Sequence, residues 1–134
     1  MNTEELSTLM HELHDDAVAF AKKDYDIELG DELSDIQKVD TIIGQLKQRN
    51  AAGFQDKELF TLCNVLGAYI GEVVKQYTGG RWLYDTSDEQ APAVRLMVQQ
   101  SDYAFASLVY RHLTSSPTIS LYEYARNAVE RHRK

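Results

Sequence analysis

The sequence predicts a mainly α fold, with about five helices around a central buried helix (56–77) and one small β-hairpin (81–85, 94–98). Three observations carry that expectation. Leu59, Phe60, Leu62, Cys63, Val65, Leu66, Tyr69, Ile70, Val73 and Val74 surround 56–77 on nearly every side, the pattern of a helix covered by its neighbours. Gly67 and Gly71 lie four apart on one face of it, where glycine costs about 1 kcal/mol of helix propensity unless another backbone approaches closely. Gly79-Gly80 can then stop the helix with a positive φ, and Arg81-Trp82-Leu83-Tyr84-Asp85 and Val94-Arg95-Leu96-Met97-Val98 alternate as strands do.

The remaining elements follow in order. Leu6, Leu9, Met10, Leu13, Ala17, Phe20 and Ala21 recur at helical spacing, with charged residues opposite, and set a first helix over 4–23. Asp24 to Gly30 has no helical period; it concentrates charge around Ile27 and Leu29 and reads as an ordered acidic loop. Ser34 and Gln37 have capping-box spacing, and Leu33, Ile36, Val39, Ile43 and Leu46 mark a second helix over 34–48. Asp56 suits the N-cap of the central helix, with Glu58 favourable to its dipole. The polar link from Thr86 to Pro92 can close the two strands into a hairpin. Ser101 is placed to cap a helix over 102–114, striped by Phe105, Leu108, Val109 and Leu113. Ser120 with Glu123 opens the last, 121–132, where Arg131, Arg133 and Lys134 meet the carbonyl end. The 134 residues match the usual size of one domain, so 1–134 is read as a single domain.

Composition bounds the function. The chain is 43% hydrophobic and 26% charged with two prolines, which is ordinary for a soluble globular protein. The lone Cys63, between Leu62 and Val65, reads as a core thiol and points to a reducing compartment. Glu4 and Glu5 stand where a secretory signal carries positive charge, and no apolar run approaches the ~20 residues needed to span a bilayer. The expected location is cytoplasmic, with no membrane partner. Residues 1–40 hold twelve acids against Lys22, Lys23 and Lys38, whereas the remaining 94 carry a surplus of two bases. A one-sign field of this kind repels nucleic acid and speeds encounter with a basic partner, although a solvated, solubilising face gives the same pattern.

The segment Leu66-Gly67-Ala68-Tyr69-Ile70-Gly71-Glu72-Val73, followed by Gly79-Gly80-Arg81-Trp82 and by Pro92 ahead of a strand, resembles a group of small uncharacterised bacterial helical domains with an L-G-x-Y-x-G-E-V and G-G-x-W pattern. The likeness covers roughly 55–125. Such domains are similar to immunity proteins that neutralise toxins delivered between bacteria, and the resemblance implies a helical protein with a small hairpin and a toxin as its partner. The acidic first 40 residues lie outside it.

Candidate chemistry is sparse. His11-Glu12-Leu13-His14-Asp15-Asp16 has the spacing at which helical neighbours converge on a metal, and His with carboxylate suits zinc or iron. A ferritin-like centre needs a Glu-x-x-His unit on each of two helices, a pair the sequence does not supply, so surface histidines without metal are expected. Glu72 sits within the most buried helix and needs a partner; Arg81 or Arg111 can supply an ion pair, or a desolvated carboxylate can serve as a general base. The ion pair is favoured, because no companion acid, nucleophile or phosphate loop accompanies it. Trp82 and Tyr84 share a strand face and read as core, with a binding hot spot as the alternative. The expectation is a non-enzymatic binding protein with no catalytic residues, no metal, no cofactor and no nucleic-acid partner; the alternative is a small metal- or Glu72-dependent enzyme. The dense acidic row of Asp15, Asp16, Asp24, Asp26, Glu28, Asp31, Glu32 and Asp35 is the expected contact with a basic protein partner, a cognate toxin.

Overall fold

In a computed structural model the described residues are 2–87, 90 and 93–132. Pro92, Arg133 and Lys134, to which the sequence pattern assigned roles, lie outside them, as do Met1 and half of the link before Pro92. Helix α1 spans Thr3–Tyr25. Asn2 caps it: its side chain accepts the Glu5 N–H at 2.8 Å, and the Glu5 carboxylate accepts the Asn2 N–H at 3.1 Å. At the other end Asp26 takes the left-handed conformation (φ 56°) and its N–H closes on Lys22 O at 3.1 Å.

A 3-10 turn over Leu33–Asp35 leads into α2, Ile36–Arg49. Ser34 therefore sits inside this turn and does not cap a helix, contrary to the capping-box expectation. Asp35 organises the corner instead, accepting the Glu32 N–H at Oδ2 (3.1 Å) and pairing with Lys38 Nζ at Oδ1 (2.8 Å).

Helix α3 runs Asp56–Thr78; Gln55 holds the N-cap position and Asp56 is already helical. Gly79 ends it at φ 73°, donating its N–H to Lys75 O at 2.8 Å, as its conformational freedom permits. Strands β1 (Arg81–Asp85), β2 (Ala93–Val98) and β3 (Ser101–Tyr103) form an antiparallel sheet in that order, with Trp82 opposite Leu96 and Val98 opposite Ser101. The third strand replaces the expected helix start at 102. Its two-residue turn uses Gln99 at φ 56°, and without Gly or Asn there the sequence carries no hairpin signal. Helix α4 (Phe105–Thr114) follows from Ala104, with no side-chain cap, and α5 spans Leu121–His132.

Helix α3 is the axis of the molecule, packing against α1, α4, α5 and β2, while α2 closes the far side on α4 and α5. Leu66, Tyr69, Ile70, Val73 and Val74 are fully covered. The two glycines mark the closest crossings. A Cβ on Gly67 would lie 2.7 Å from Ala106 N and 2.8 Å from its Cα, so the backbone of α4 crosses there. At Gly71 the neighbour is the Trp82 ring, 2.1 Å from the same imagined atom. Phe60 departs from the buried pattern: it is 71% exposed on the N-terminal third of α3, at the edge of a groove it shares with Ala106 and Ser107 of α4. Asp40 of α2 supplies a long-range cap to α5, accepting the Leu121 and Tyr122 N–H groups at 2.9 and 3.1 Å. Ser120 Oγ accepts the Glu123 N–H at 3.0 Å, the Ser120 half of the expected box. Among the described residues no helix is long and apolar enough to cross a membrane.

Candidate functional site

Chemistry-bearing side chains converge where α1, the connector before α2 and the C-terminal half of α3 meet. His11 and His14, one helical turn apart, stack with ring centroids 5.7 Å apart and planes within 8°. His14 is buried rather than a surface residue, and its other face stacks on Tyr69 at 5.3 Å. Both of its nitrogens meet carboxylates: Nδ1 lies 3.0 Å from Asp15 Oδ1 and Nε2 3.1 Å from Asp31 Oδ1. His11 is exposed, yet it does not point away from this cluster; Nδ1 lies 3.3 Å from Glu72 Oε1 and Nε2 3.7 Å from Asp15 Oδ2.

Glu72 finds partners other than Arg81 or Arg111. Its Oε1 faces His11, and its Oε2 accepts the Trp82 indole N–H at 2.9 Å with Lys75 Nζ at 3.8 Å. The indole was reachable from the sequence only with the register of α3 against β1 known. Trp82 is 3% exposed and belongs to the core as expected, whereas Tyr84, two residues on, is 43% exposed where the strand runs past the helix.

The connector is held onto this cluster from below. The Tyr69 hydroxyl donates to Gly30 O at 2.7 Å, and the Gln76 amide donates to Asp31 O. Burial, with the charges of Asp35 and Asp31 adding to it, pushes the Tyr69 phenol well above its ordinary value, so the group stays a donor. Together these bonds place Asp31 beside His14.

The acidic row divides into four sets. Asp15 and Asp31 face the histidines, and Asp26 and Glu28 face Lys22 at 3.1 and 3.5 Å. Asp16, Asp24 and Glu32 are exposed and make no ion pair among the described residues. Asp35 alone of the eight is buried. Burial raises its pKa, but the Lys38 ammonium and the N–H groups of Glu32 and Gly30 outweigh that and hold it below the usual 3.8. Its contribution to stability is therefore present above the usual carboxylate range and is lost as pH falls through the lowered value. Asp35→Asn is expected to destabilise the protein by about 1–2 kcal/mol at neutral pH, with the difference from wild type shrinking in urea titrations as pH falls through the lowered value.

Cys63 is buried in α3, and burial pushes its thiol up to about 11, which leaves it protonated and inert at neutral pH. An apolar groove of about 610 Å³ is lined by Leu9, Leu13, Val65 and Phe105, with the exposed Phe60 and Tyr84 also on it. No family model, curated protein or solved structure matches the chain.

Proposed function

We propose that the chain is a non-enzymatic binding protein that neutralises a basic protein partner, in the manner of the immunity proteins its central motif resembles, with the acidic row of α1 and the connector as the contact. The observation that carries this reading is the disposition of the acids: seven of the eight are exposed, and Asp16, Asp24 and Glu32 have no cation to offset them among the described residues. Uncompensated charge of one sign chiefly accelerates association and selects the partner. A cytoplasmic toxin whose cleft is cationic, because its substrate is nucleic acid or nucleotide, has the complementary field. Asp35 holds the connector in shape for this contact, while Asp15, Asp26, Glu28 and Asp31 contribute charge from within local pairs.

Co-expression with the product of the neighbouring gene tests the proposal. A stoichiometric complex that protects cells from that product supports it. Purification of the two proteins apart, with full toxicity retained, contradicts it.

A further inference from the structure

We propose that His11, His14 and Asp15 bind a divalent cation of the zinc class, with Glu72 and Asp31 as the outer carboxylates that orient the two imidazoles. The inference shares Asp15 and Asp31 with the acidic row but does not rest on the partner-binding reading.

The first ground is convergence. Positions 11, 14 and 15 are related by three and four residues on one face of α1, and one ligand atom from each lies within 4.8 Å of the others. The Asp15 carboxylate straddles the two rings, one oxygen toward His14 Nδ1 and the other toward His11 Nε2. Ligand atoms around tetrahedral zinc stand roughly 3.3 Å apart, given bonds of about 2.0–2.1 Å. The two rings stack with planes within 8°, so their lone pairs do not converge as they stand; the side chains of His11 and Asp15 are 65% and 62% exposed, and rotation of His11 about its side-chain bonds turns its ring out of the stack toward a shared ion.

The second ground is the outer shell. A metal-bound histidine usually donates its remote N–H to a carboxylate, which fixes the tautomer and the ring. With His11 Nε2 and His14 Nδ1 toward the metal, the remote nitrogens are His11 Nδ1 and His14 Nε2. These are the atoms that meet Glu72 at 3.3 Å and Asp31 at 3.1 Å. Each outer carboxylate is itself anchored: Glu72 by the Trp82 indole at 2.9 Å, and the Asp31 segment by Gln76 and Tyr69. Two neutral imidazoles therefore have both nitrogens used, one for the ion and one for a carboxylate.

Charge is the third ground. Asp15, Asp31 and Glu72 carry three negative charges and Lys75, 3.8 Å from Glu72, returns one. The surplus of two matches a divalent ion. Imidazole and carboxylate ligands suit zinc, copper, nickel and iron over magnesium or calcium. Three protein ligands leave a fourth position open to water or to a ligand from a bound protein.

Co2+ titration followed by absorbance, with Zn2+ calorimetry alongside, reads the site directly. One equivalent should bind and give the d–d bands of a four-coordinate nitrogen–oxygen site that Zn2+ abolishes. His11→Gln and Asp15→Asn, both at exposed positions, should each weaken binding by more than about 100-fold, since losing an outer partner alone costs about 10–100-fold. Glu72→Gln keeps an acceptor for Trp82 and should weaken Zn2+ by about 10–100-fold while the protein stays folded by circular dichroism. Glu130→Gln, at an exposed position on α5, should leave metal binding unchanged. Absence of binding to the folded wild type, or several weak equivalents insensitive to His11→Gln and Asp15→Asn, would overturn the site.

Discussion

Gly67→Leu is expected to destabilise the protein by about 3 kcal/mol or more, the upper end of overpacking, and to lower the thermal midpoint by roughly 10 °C. The cost is large because of what the new side chain meets. Its Cβ alone would stand 2.7 Å from Ala106 N, 2.8 Å from Ala106 Cα and 3.1 Å from Phe105 C, all backbone atoms at the start of α4. A rotamer change cannot clear backbone. Either α4 moves away from α3, uncovering Leu66 and Ile70, or α3 bends. Even Gly67→Ala should destabilise, although alanine gains about 1 kcal/mol of helix propensity over glycine. Circular dichroism melts check this, and a Gly67→Leu variant that melts with wild type would rule out the close crossing.

Gly71 makes the second large prediction, with a different signature. Its imagined Cβ falls 2.1 Å from Trp82 Cη2 and 2.5 Å from Cζ2, so the obstacle is a side chain. Gly71→Ala should cost about 2–3 kcal/mol in the wild type, because the ring is buried and pinned by its bond to Glu72. In a Trp82→Leu background the main obstacle is gone, leaving Phe105 Cδ2 at 3.3 Å, and the same substitution should cost much less, falling to about neutral where that ring gives way. Trp82→Leu alone is expected to cost about 2–4 kcal/mol through lost burial and the unpaired Glu72 oxygen. Urea unfolding of the four proteins gives the coupling. Equal costs for Gly71→Ala in both backgrounds would show that the ring does not occupy that place.

These two glycines also show what was legible in the sequence. Their spacing announced a close approach, and the five helices followed from apolar periodicity, since each buries one face or, for α3, nearly all faces. Residues 101–103 were not legible as a strand. Nothing in Gln99-Gln100 advertises a turn, and Ser101 has the character of a helix cap, which drew 101–103 into the start of α4. Phe60 misled because periodicity tells which residues are apolar and not whether a neighbour covers each of them.

The histidine cluster was half legible. His11, His14 and Asp15 stand together on one helix and can be found by spacing. Glu72 and Asp31 come from 61 and 17 residues away, and only the α1–α3 packing and the tether from Tyr69 to Gly30 bring them in. Asp35 illustrates the reverse case. By composition it belonged with its acidic neighbours, but the 3-10 turn folds it inward onto the Glu32 N–H and Lys38. Local charge density identified an acidic region without separating its free members from its structural ones.

The contact itself is tested most directly by stopped-flow association of the chain with its co-purified partner at rising salt. Wild type should associate fast at low ionic strength and slow steeply as salt screens the field. A variant with Asp16, Asp24 and Glu32 changed to lysine removes acids that make no ion pair among the described residues, so it should keep a melting temperature close to wild type. Its association at low salt should be slower by at least about tenfold, and the salt dependence should flatten. An unchanged association rate in a normally folded variant would contradict the account, leaving the acidic row as a solvated surface and moving the interface to the groove edged by Phe60 and Tyr84.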